Sequence, residues 1–398
     1  MPNANKPQVL WLLPSDPWSK WTLSGISRET CLELQRRGLL YGAMSPGDLW
    51  KRHLKGPAPL HDLEKKLVGF ARKRFFPTPR WTDEREGLIG QVLRQCPPGT
   101  IVVYALLRPK LDPSLPIRRF RWMDLSLFDA VRTGSFGYAG MTDEARDAAL
   151  EDERRMLAGC EGVVSLSTYA AEAIARDLGY PREKITPIGA GPALEVQASS
   201  TPSPNRFESG KILFVGRDWK RKRGDLIVEA LRLVRKKVPH ATLTIVGPSE
   251  PPLPPEPGVH FVGPLNKEKP DENARLRELF LTSSAFCMAS ASEPWGLVYV
   301  EAAQFGLPVV ALNDWALPDI VVDGVTGRLV PSPTAEELAA GLEDVLSQPA
   351  RAAEMGRAAR ERVARVLSWP AVVDRMLDRL CPEALGGRKP IPLREQRA

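Results

Sequence analysis

The sequence predicts an α/β protein of two Rossmann-like halves, each built on a parallel sheet, and three observations carry that prediction. From residue 211 onward, short apolar runs rich in β-branched residues alternate with helix-length segments, the pattern of βαβ units. The first 200 residues repeat the theme less regularly. Between the halves, "QASSTPSPNRFESG" (197–210) holds Ser, Pro and Gly and hardly any apolar residue, which is the composition of a linker.

The elements follow in order. In the first half "VLWLL" (9–13) reads as a buried first strand and "SRETCLELQRRG" (27–38) as a helix closing at Gly38. "TIVVYALL" (100–107) and "GVVSLS" (162–167) read as later strands, and "TYAAEAIARDLG" (168–179) as a helix closing on glycine. In the second half the strands are "KILFVG" (211–216), "ATLTIVG" (241–247), "VHFVG" (259–263), "AFCMAS" (285–290) and "LPVVAL" (307–312). The helices are "GDLIVEALRLVRKK" (224–237), "ARLRELFLTS" (274–283), the stretch after Trp295, and "TAEELAAGLEDVLSQ" (334–348), where Thr334 is the expected cap. The domain boundaries expected are 1–200 and 201–366, then a helix over 367–381 returning to the first domain and a disordered basic tail over 382–398.

Composition bounds the class. A chain of 398 residues with 43% hydrophobic content can bury sizeable cores in two or three domains. Cys31, Cys96, Cys160, Cys287 and Cys381 are dispersed without C-x-x-C spacing, which fits reduced thiols in a cytoplasm and suggests no zinc site. The apolar run at 9–13 is too short for a signal h-region or a bilayer span, so a cytoplasmic protein is expected. The formal net charge of +7 is concentrated, because residues 50–81 hold nine Lys/Arg against two acids.

Paired open sheets bind ligands at the carboxyl ends of their strands, so the chemistry belongs in strand-to-helix loops. Neither G-x-G-x-x-G nor G-x-x-x-x-G-K-[ST] occurs, which removes the usual phosphate cradles of dinucleotide oxidoreductases and P-loop nucleotidases. Two other loops can serve. "GRDWKRKRG" (216–224) places Arg217 and Lys222 between a strand and a helix, a fork and a point charge suited to a diphosphate; a merely solvated basic loop is the competing reading. "SASEPWGLVYVEAAQFGLP" (290–308) puts Glu293 on a turn, Trp295, Gly296 and Leu297 at a helix start, and Glu301 inside the helix. A helix start favours an anion, and two carboxylates eight residues apart would be separated by about 12 Å in a continuous helix, each free to accept from sugar hydroxyls. The alternative is a capping Glu293 and a surface Glu301. The apolar surroundings of Glu301 argue against it, since a buried carboxylate without a partner is costly.

These segments together resemble the E-x7-E region of retaining glycosyltransferases of family 4, which have the GT-B fold of two Rossmann-like domains with parallel sheets facing across a cleft. The similarity covers most of 211–366: "VGRDWKRKRGDLIVEAL", "PHATLTIVG", "SEPWGLVYVEAAQFGLPVVAL" and "DGVTGRLVPSPTAEELAAGLEDVL". It implies a hexosyltransferase-like enzyme with a nucleotide-diphosphate-sugar donor in the C-terminal domain and a hydroxyl acceptor in the N-terminal one. By it Arg217 and Lys222 take the diphosphate, Glu293 the transferred sugar and Glu301 the ribose, with Gly296 and Leu297 giving backbone donors. "WTLSGISRETCLELQRRG" resembles the family's glycine loop and places Gly25 near the donor phosphates. "RWMDLS" nominates Asp124 for acceptor contact or proton relay, against a plain loop acid. Relatives often carry Gly-Gly and Pro-Glu where this chain reads "NDWALPDIV", so Trp315 and Ala316 replace the glycines and Asp319 the acid.

No D-x-D motif occurs, so a metal-independent reaction with no cofactor is expected, fixed cations and a helix start offsetting the charge on the leaving diphosphate. Such enzymes act in glycan or glycolipid synthesis. The stripe Leu60, Leu63, Leu67, Phe70 and Ala71 within 50–81, with Lys and Arg opposite, could lie on an anionic membrane at its inner face or pack on the first domain. Three rivals stand beside this reading: a GT-B sugar-nucleotide epimerase, a nucleic-acid binder using 50–81, which leaves the two acids unexplained, and a catalytically dead scaffold, against which the full set of phosphate and sugar residues argues. Oligomeric state is left open.

Overall fold

Among the described residues twelve strands form two six-stranded sheets, and every pairing between neighbouring strands is parallel. The structure is a computed structural model describing residues 6–20, 22–45, 79–107, 109–110, 112–134, 140–196, 202–203 and 205–394. Almost all of the basic segment 50–81 lies outside these residues.

In chain order the elements are β1 (Val9–Leu12), α1 (Ile26–Arg36), β2 (Leu40–Met44), α2 (Pro79–Gln95), β3 (Ile101–Ala105), β4 (Arg118–Met123), α3 (Leu127–Arg132), α4 (Asp143–Ala158), β5 (Gly162–Ser165), α5 (Thr168–Leu178) and β6 (Ile185–Pro187). They continue with β7 (Lys211–Val215), α6 (Gly224–Val234), β8 (Thr242–Val246), β9 (Val259–Gly263), α7 (Pro270–Thr282), β10 (Ala285–Cys287), α8 (Leu297–Gln304), β11 (Val309–Leu312), α9 (Leu317–Ile320), β12 (Gly327–Val330), α10 (Ala335–Leu346), α11 (Pro349–Arg365) and α12 (Trp369–Leu380). Two units result: Met1–Leu166 with Ala170–Ile188 and Val373–Pro390, and Ser167–Tyr169 with Gly189–Val372 and Ile391–Ala398.

The sheet of the first unit has the order β2-β1-β3-β4-β5-β6 and that of the second β12-β11-β10-β7-β8-β9. Helices cover both faces of such sheets, so their strands must be apolar throughout. Every residue of β1, β3, β5 and β11 is accordingly buried, and each fully buried Val or Leu contributes about 1.5–3 kcal/mol. The helices supply matching stripes: α6 buries Ile227, Val228, Ala230, Leu231 and Val234. At the start of α10 the Thr334 hydroxyl accepts from the Glu337 N–H at 3.3 Å, the cap expected from the sequence.

Four strands escaped the sequence reading: β2, β4, β6 and β12. At β12 the reason is contact distance, since a Cβ on Gly327 would lie 2.1 Å from the Val309 carbonyl oxygen. A glycine that reads as a turn is what lets this strand pair with β11. The expected disordered tail is also corrected. Pro382–Leu385 form a 3-10 turn, and Leu385 and Leu393 are 3% and 2% exposed. Within "IPLR" Leu393 finds a buried position, and the buried Arg362 guanidinium donates to the Leu393 carbonyl at 2.9 Å. All five cysteines are free and buried. No helix among the described residues is long and apolar enough to cross a membrane.

Candidate functional site

Strand order selects the place to look. In the second unit β7 pairs with β8 on one side and with β10 on the other, so connections leave in opposite directions there. A crevice opens outside the carboxyl ends of two such strands. The loops that border it are 216–223 after β7 and 288–296 after β10, the two that carry the sequence candidates.

These loops brace each other through the backbone. The Ala291 N–H donates to the Arg221 carbonyl at 2.7 Å, and the Arg221 guanidinium donates to the Ser292 carbonyl at 2.7 Å. The bracing brings the Lys222 ammonium onto Glu293 Oε2 in a salt bridge whose side chains are each 9% exposed. Burial pushes the Lys222 pKa down, opposed by the charge of Glu293. Ser290 donates to the same carboxylate oxygen at 2.9 Å. The Ser290 hydroxyl also meets the Tyr299 hydroxyl at 3.2 Å, and Tyr299 donates to the Met288 carbonyl at 3.1 Å. Burial, then the charge of Glu293, raises the Tyr299 pKa well above its ordinary value and keeps it a donor. Lys222 and Ser290 thus share Oε2, and among the described residues no donor meets Oε1 of Glu293.

Gly296 begins α8 at φ 94° with no side-chain cap. A Cβ there would lie 2.5 Å from the Tyr299 ring and 3.0 Å from Glu293 Cγ, so glycine is required for both conformation and space. This bend corrects the separation expected for the two acids, because Glu293 lies outside the helix and a continuous helical rise does not apply. Leu297 is the first residue of α8. Trp295 is 2% exposed and its indole N–H donates to the Ala190 carbonyl at 3.1 Å, so its side chain anchors the loop.

Glu301, in the second turn of α8, is fully buried. Its Oε1 accepts from the Lys267 ammonium at 2.5 Å, and its Oε2 has no partner among the described residues. A buried acceptor left open costs about 1–3 kcal/mol and calls for a ligand donor or a water. Lys267, in the loop after β9, had no signal in the sequence beyond its place among other lysines. Ser290 was more accessible to reasoning, standing three residues before Glu293. Arg217 occupies the same loop as Lys222 with an exposed side chain.

The departures at 313–319 have a physical reading. Trp315 takes the left-handed φ of 54° that a glycine adopts without strain. It is held there by the Asp314 carboxylate, which accepts from the Trp315 N–H at 2.7 Å, and by the Ala291 carbonyl, which accepts from its indole at 3.0 Å. The Tyr169 ring packs on it with centroids 4.6 Å apart. Asp319 is fully buried, accepting from the Thr168 N–H at 2.6 Å and pairing with Arg394.

Two candidates belong to the first unit. Gly25 precedes α1 at φ 89°, following Leu23 and Ser24, which are also left-handed. Asp124 follows β4 and is 7% exposed. Burial pushes its pKa up to about 6, against the backbone N–H groups of Asp124 and Leu125 and the charge of Arg121.

Comparison with known proteins gives the following. Residues 200–362 match the family model described as Glycosyl transferases group 1. A D-inositol 3-phosphate glycosyltransferase of Gordonia bronchialis is 32% identical over 242 residues, 57% of this chain and 52% of that protein. The chain therefore spans about half the length of this curated relative. Among solved structures, sucrose-phosphate synthase from Thermosynechococcus elongatus superposes with a TM-score of 0.63 at 19% identity, covering 96% of this chain and 100% of that one. Anabaena HepE in complex with UDP and glucose gives 0.60 at 14% identity over 94% of this chain and 98% of that one. The fold is thereby that of GT-B glycosyltransferases, with its two parallel sheets.

Proposed function

We propose that this protein is a retaining glycosyltransferase, of the family 4 type, that moves a hexose from a nucleotide-diphosphate sugar to a hydroxyl acceptor. The observation that carries the proposal is the pairing at one strand crossing of a buried Lys222–Glu293 bridge with a fully buried Glu301 whose Oε2 is open. A ribose hydroxyl donating to that oxygen would satisfy it. Arg217 and Lys222 hold the diphosphate, the backbone at Gly296 and Leu297 adds donors, and Glu293 takes hydroxyls of the transferred sugar. Trp295 anchors the donor loop.

In the reaction the acceptor hydroxyl oxygen bonds to the anomeric carbon while the bond from that carbon to the diphosphate oxygen breaks. The acceptor proton passes to the departing phosphate on the same face, which retains configuration without a glycosyl-enzyme. Lys222 and Arg217 offset the growing charge, so the reaction runs without metal or other cofactor. Within the first unit, Gly25 is the residue proposed for phosphate contact and Asp124 the one for acceptor contact or proton relay. A cytoplasmic enzyme of glycan or glycolipid synthesis completes the proposal, with residues 50–81 either resting on an anionic membrane at its inner face or packed on the first domain. Sedimentation with anionic vesicles tests the last part.

UDP is the first nucleotide to try, since a solved GT-B neighbour holds it. Thermal-shift titration with UDP, GDP and ADP is expected to single out one of them, adding about 2.7 kcal/mol of stability at a hundred times its dissociation constant. Incubation of the matching nucleotide sugars is expected to give hydrolysis or transfer. Epimer formation, or no stabilisation by any of the three, would overturn the proposal.

A further inference from the structure

Residues 391–394 are held at the α9 turn and lie beside Gly189, two places that border the loop 288–296. Arg394 pairs with Asp319, which is fully buried and also accepts from the Thr168 N–H. One residue earlier, Leu393 is 2% exposed, and its carbonyl accepts from Arg362 Nη2 at 2.9 Å. The same Arg362 nitrogen donates to the Asp319 carbonyl at 2.8 Å, and Nε donates to the Ile320 carbonyl at 3.1 Å. One buried guanidinium therefore ties the segment to the α9 turn, and Arg394 ties it a second time through the Asp319 carboxylate.

That turn is joined to the site. The Ala316 N–H donates to the Glu293 carbonyl at 3.4 Å, and the Trp315 indole to the Ala291 carbonyl at 3.0 Å. On the other side, a Cβ added to Gly189 would meet Leu393 Cδ1 and the Trp295 ring, each at 2.9 Å. Leu393 and Trp295 thus converge on one glycine, and Trp295 is the neighbour of Gly296. The strained φ of Trp315 also needs outside support to persist.

We infer that residues 391–394 form a latch that presets the loop bearing Glu293 for a nucleotide sugar, with Arg394 as a positioning residue acting through Asp319. The role of that loop rests on the glycosyltransferase reading above; the mechanical part of the inference does not. Arg394 touches no reacting atom. It holds Asp319 and the α9 turn, and through the turn the carbonyls of Ala291 and Glu293.

Amide hydrogen exchange on the unliganded protein tests the mechanical part, comparing the parent with Arg394→Ala and Arg394→Lys. In Arg394→Ala the amides of 315–319 and 293–299 are expected to exchange about tenfold faster or more, while β7 and β11 keep parental rates and Arg394→Lys restores most of the protection. Unchanged exchange in both loops, or an equal rise throughout the second unit, overturns the latch. Titration with UDP, GDP and ADP tests its consequence. The diphosphate that binds the parent is expected to bind Arg394→Ala about tenfold more weakly, and transfer to show a raised KM with kcat less affected. Parental affinity in Arg394→Ala overturns the inference. Should none of the three bind the parent, the donor reading falls, and the exchange experiment alone decides the latch.

Discussion

Each unit buries a salt bridge beside its sheet, and the two bridges are finished differently. In the first unit Arg121 of β4 meets both oxygens of Glu153 at 2.8 and 3.2 Å and donates to the carbonyls of Tyr104 and Leu107 at 3.0 and 2.6 Å. It is a closed knot inside the fold. In the second unit Lys222 and Ser290 both use one oxygen of Glu293, and the other oxygen receives nothing from the described residues. Similar burial therefore leads to opposite ends: one pair spends its hydrogen-bonding capacity on the protein, and the other leaves one carboxylate oxygen without a donor among the described residues.

The comparison breaks most sharply at Arg121. Arg121→Ala leaves Glu153 buried without its partner and is expected to cost about 3–5 kcal/mol of stability in chemical denaturation. Nucleotide affinity per folded molecule should stay within about twofold. A sizeable affinity loss with intact stability would erase the distinction drawn here.

Asp124 sharpens the contrast, being a buried acid without an ion pair among the described residues. Its pKa of about 6 lies above the ordinary 3.8. A raised carboxyl contributes stability that is fully present below the unfolded pKa and is lost as pH rises through the folded one. Parent stability should thus fall by about 3 kcal/mol between pH 4 and 7, from about two pH units at about 1.4 kcal/mol each. Asp124→Asn should lack that fall, as read by denaturant midpoints at each pH.

Lys222→Ala is the matching test for the open pair. It is expected to lower kcat/KM for transfer ten- to a hundredfold, equivalent to about 1.5–3 kcal/mol, and to weaken diphosphate binding. Stability lost with binding unchanged would make Lys222 a second Arg121. The smallest effect belongs to Glu301→Gln, which keeps the shape but removes the charge opposite Lys267. Diphosphate affinity by calorimetry should fall by about three- to tenfold, roughly 1 kcal/mol.

The same contrast explains what could be read in advance. Apolar runs announced β1, β3, β5, β7, β8, β9, β10 and β11; in β1, β3, β5, β10 and β11 burial of every residue leaves that chemical signature, whereas β9 carries the run with His260 and Phe261 exposed. At β4 three arginines in six residues hid the strand, and the buried Arg121 guanidinium is accommodated by Glu153 on α4 together with the Tyr104 and Leu107 carbonyls. In the site, Glu301 was visible because a charge in an apolar setting is conspicuous, while Lys222 and Glu293 were singled out by their place in strand-to-helix loops and by the family resemblance. Lys267 was not, since a lysine in a charged loop carries no mark of the acid that the fold sets beside it. Of the three departures, Trp315 donates to the Ala291 carbonyl, and Asp319 takes as partners Thr168 and Arg394, far away in sequence.

The docking of Leu393 and Arg394 has a practical side for anyone handling this protein. A dye or spin label attached at Leu393 or Arg394 would displace the side chain that approaches Gly189 or the one that pairs with Asp319, so labelling positions are better chosen elsewhere on the surface.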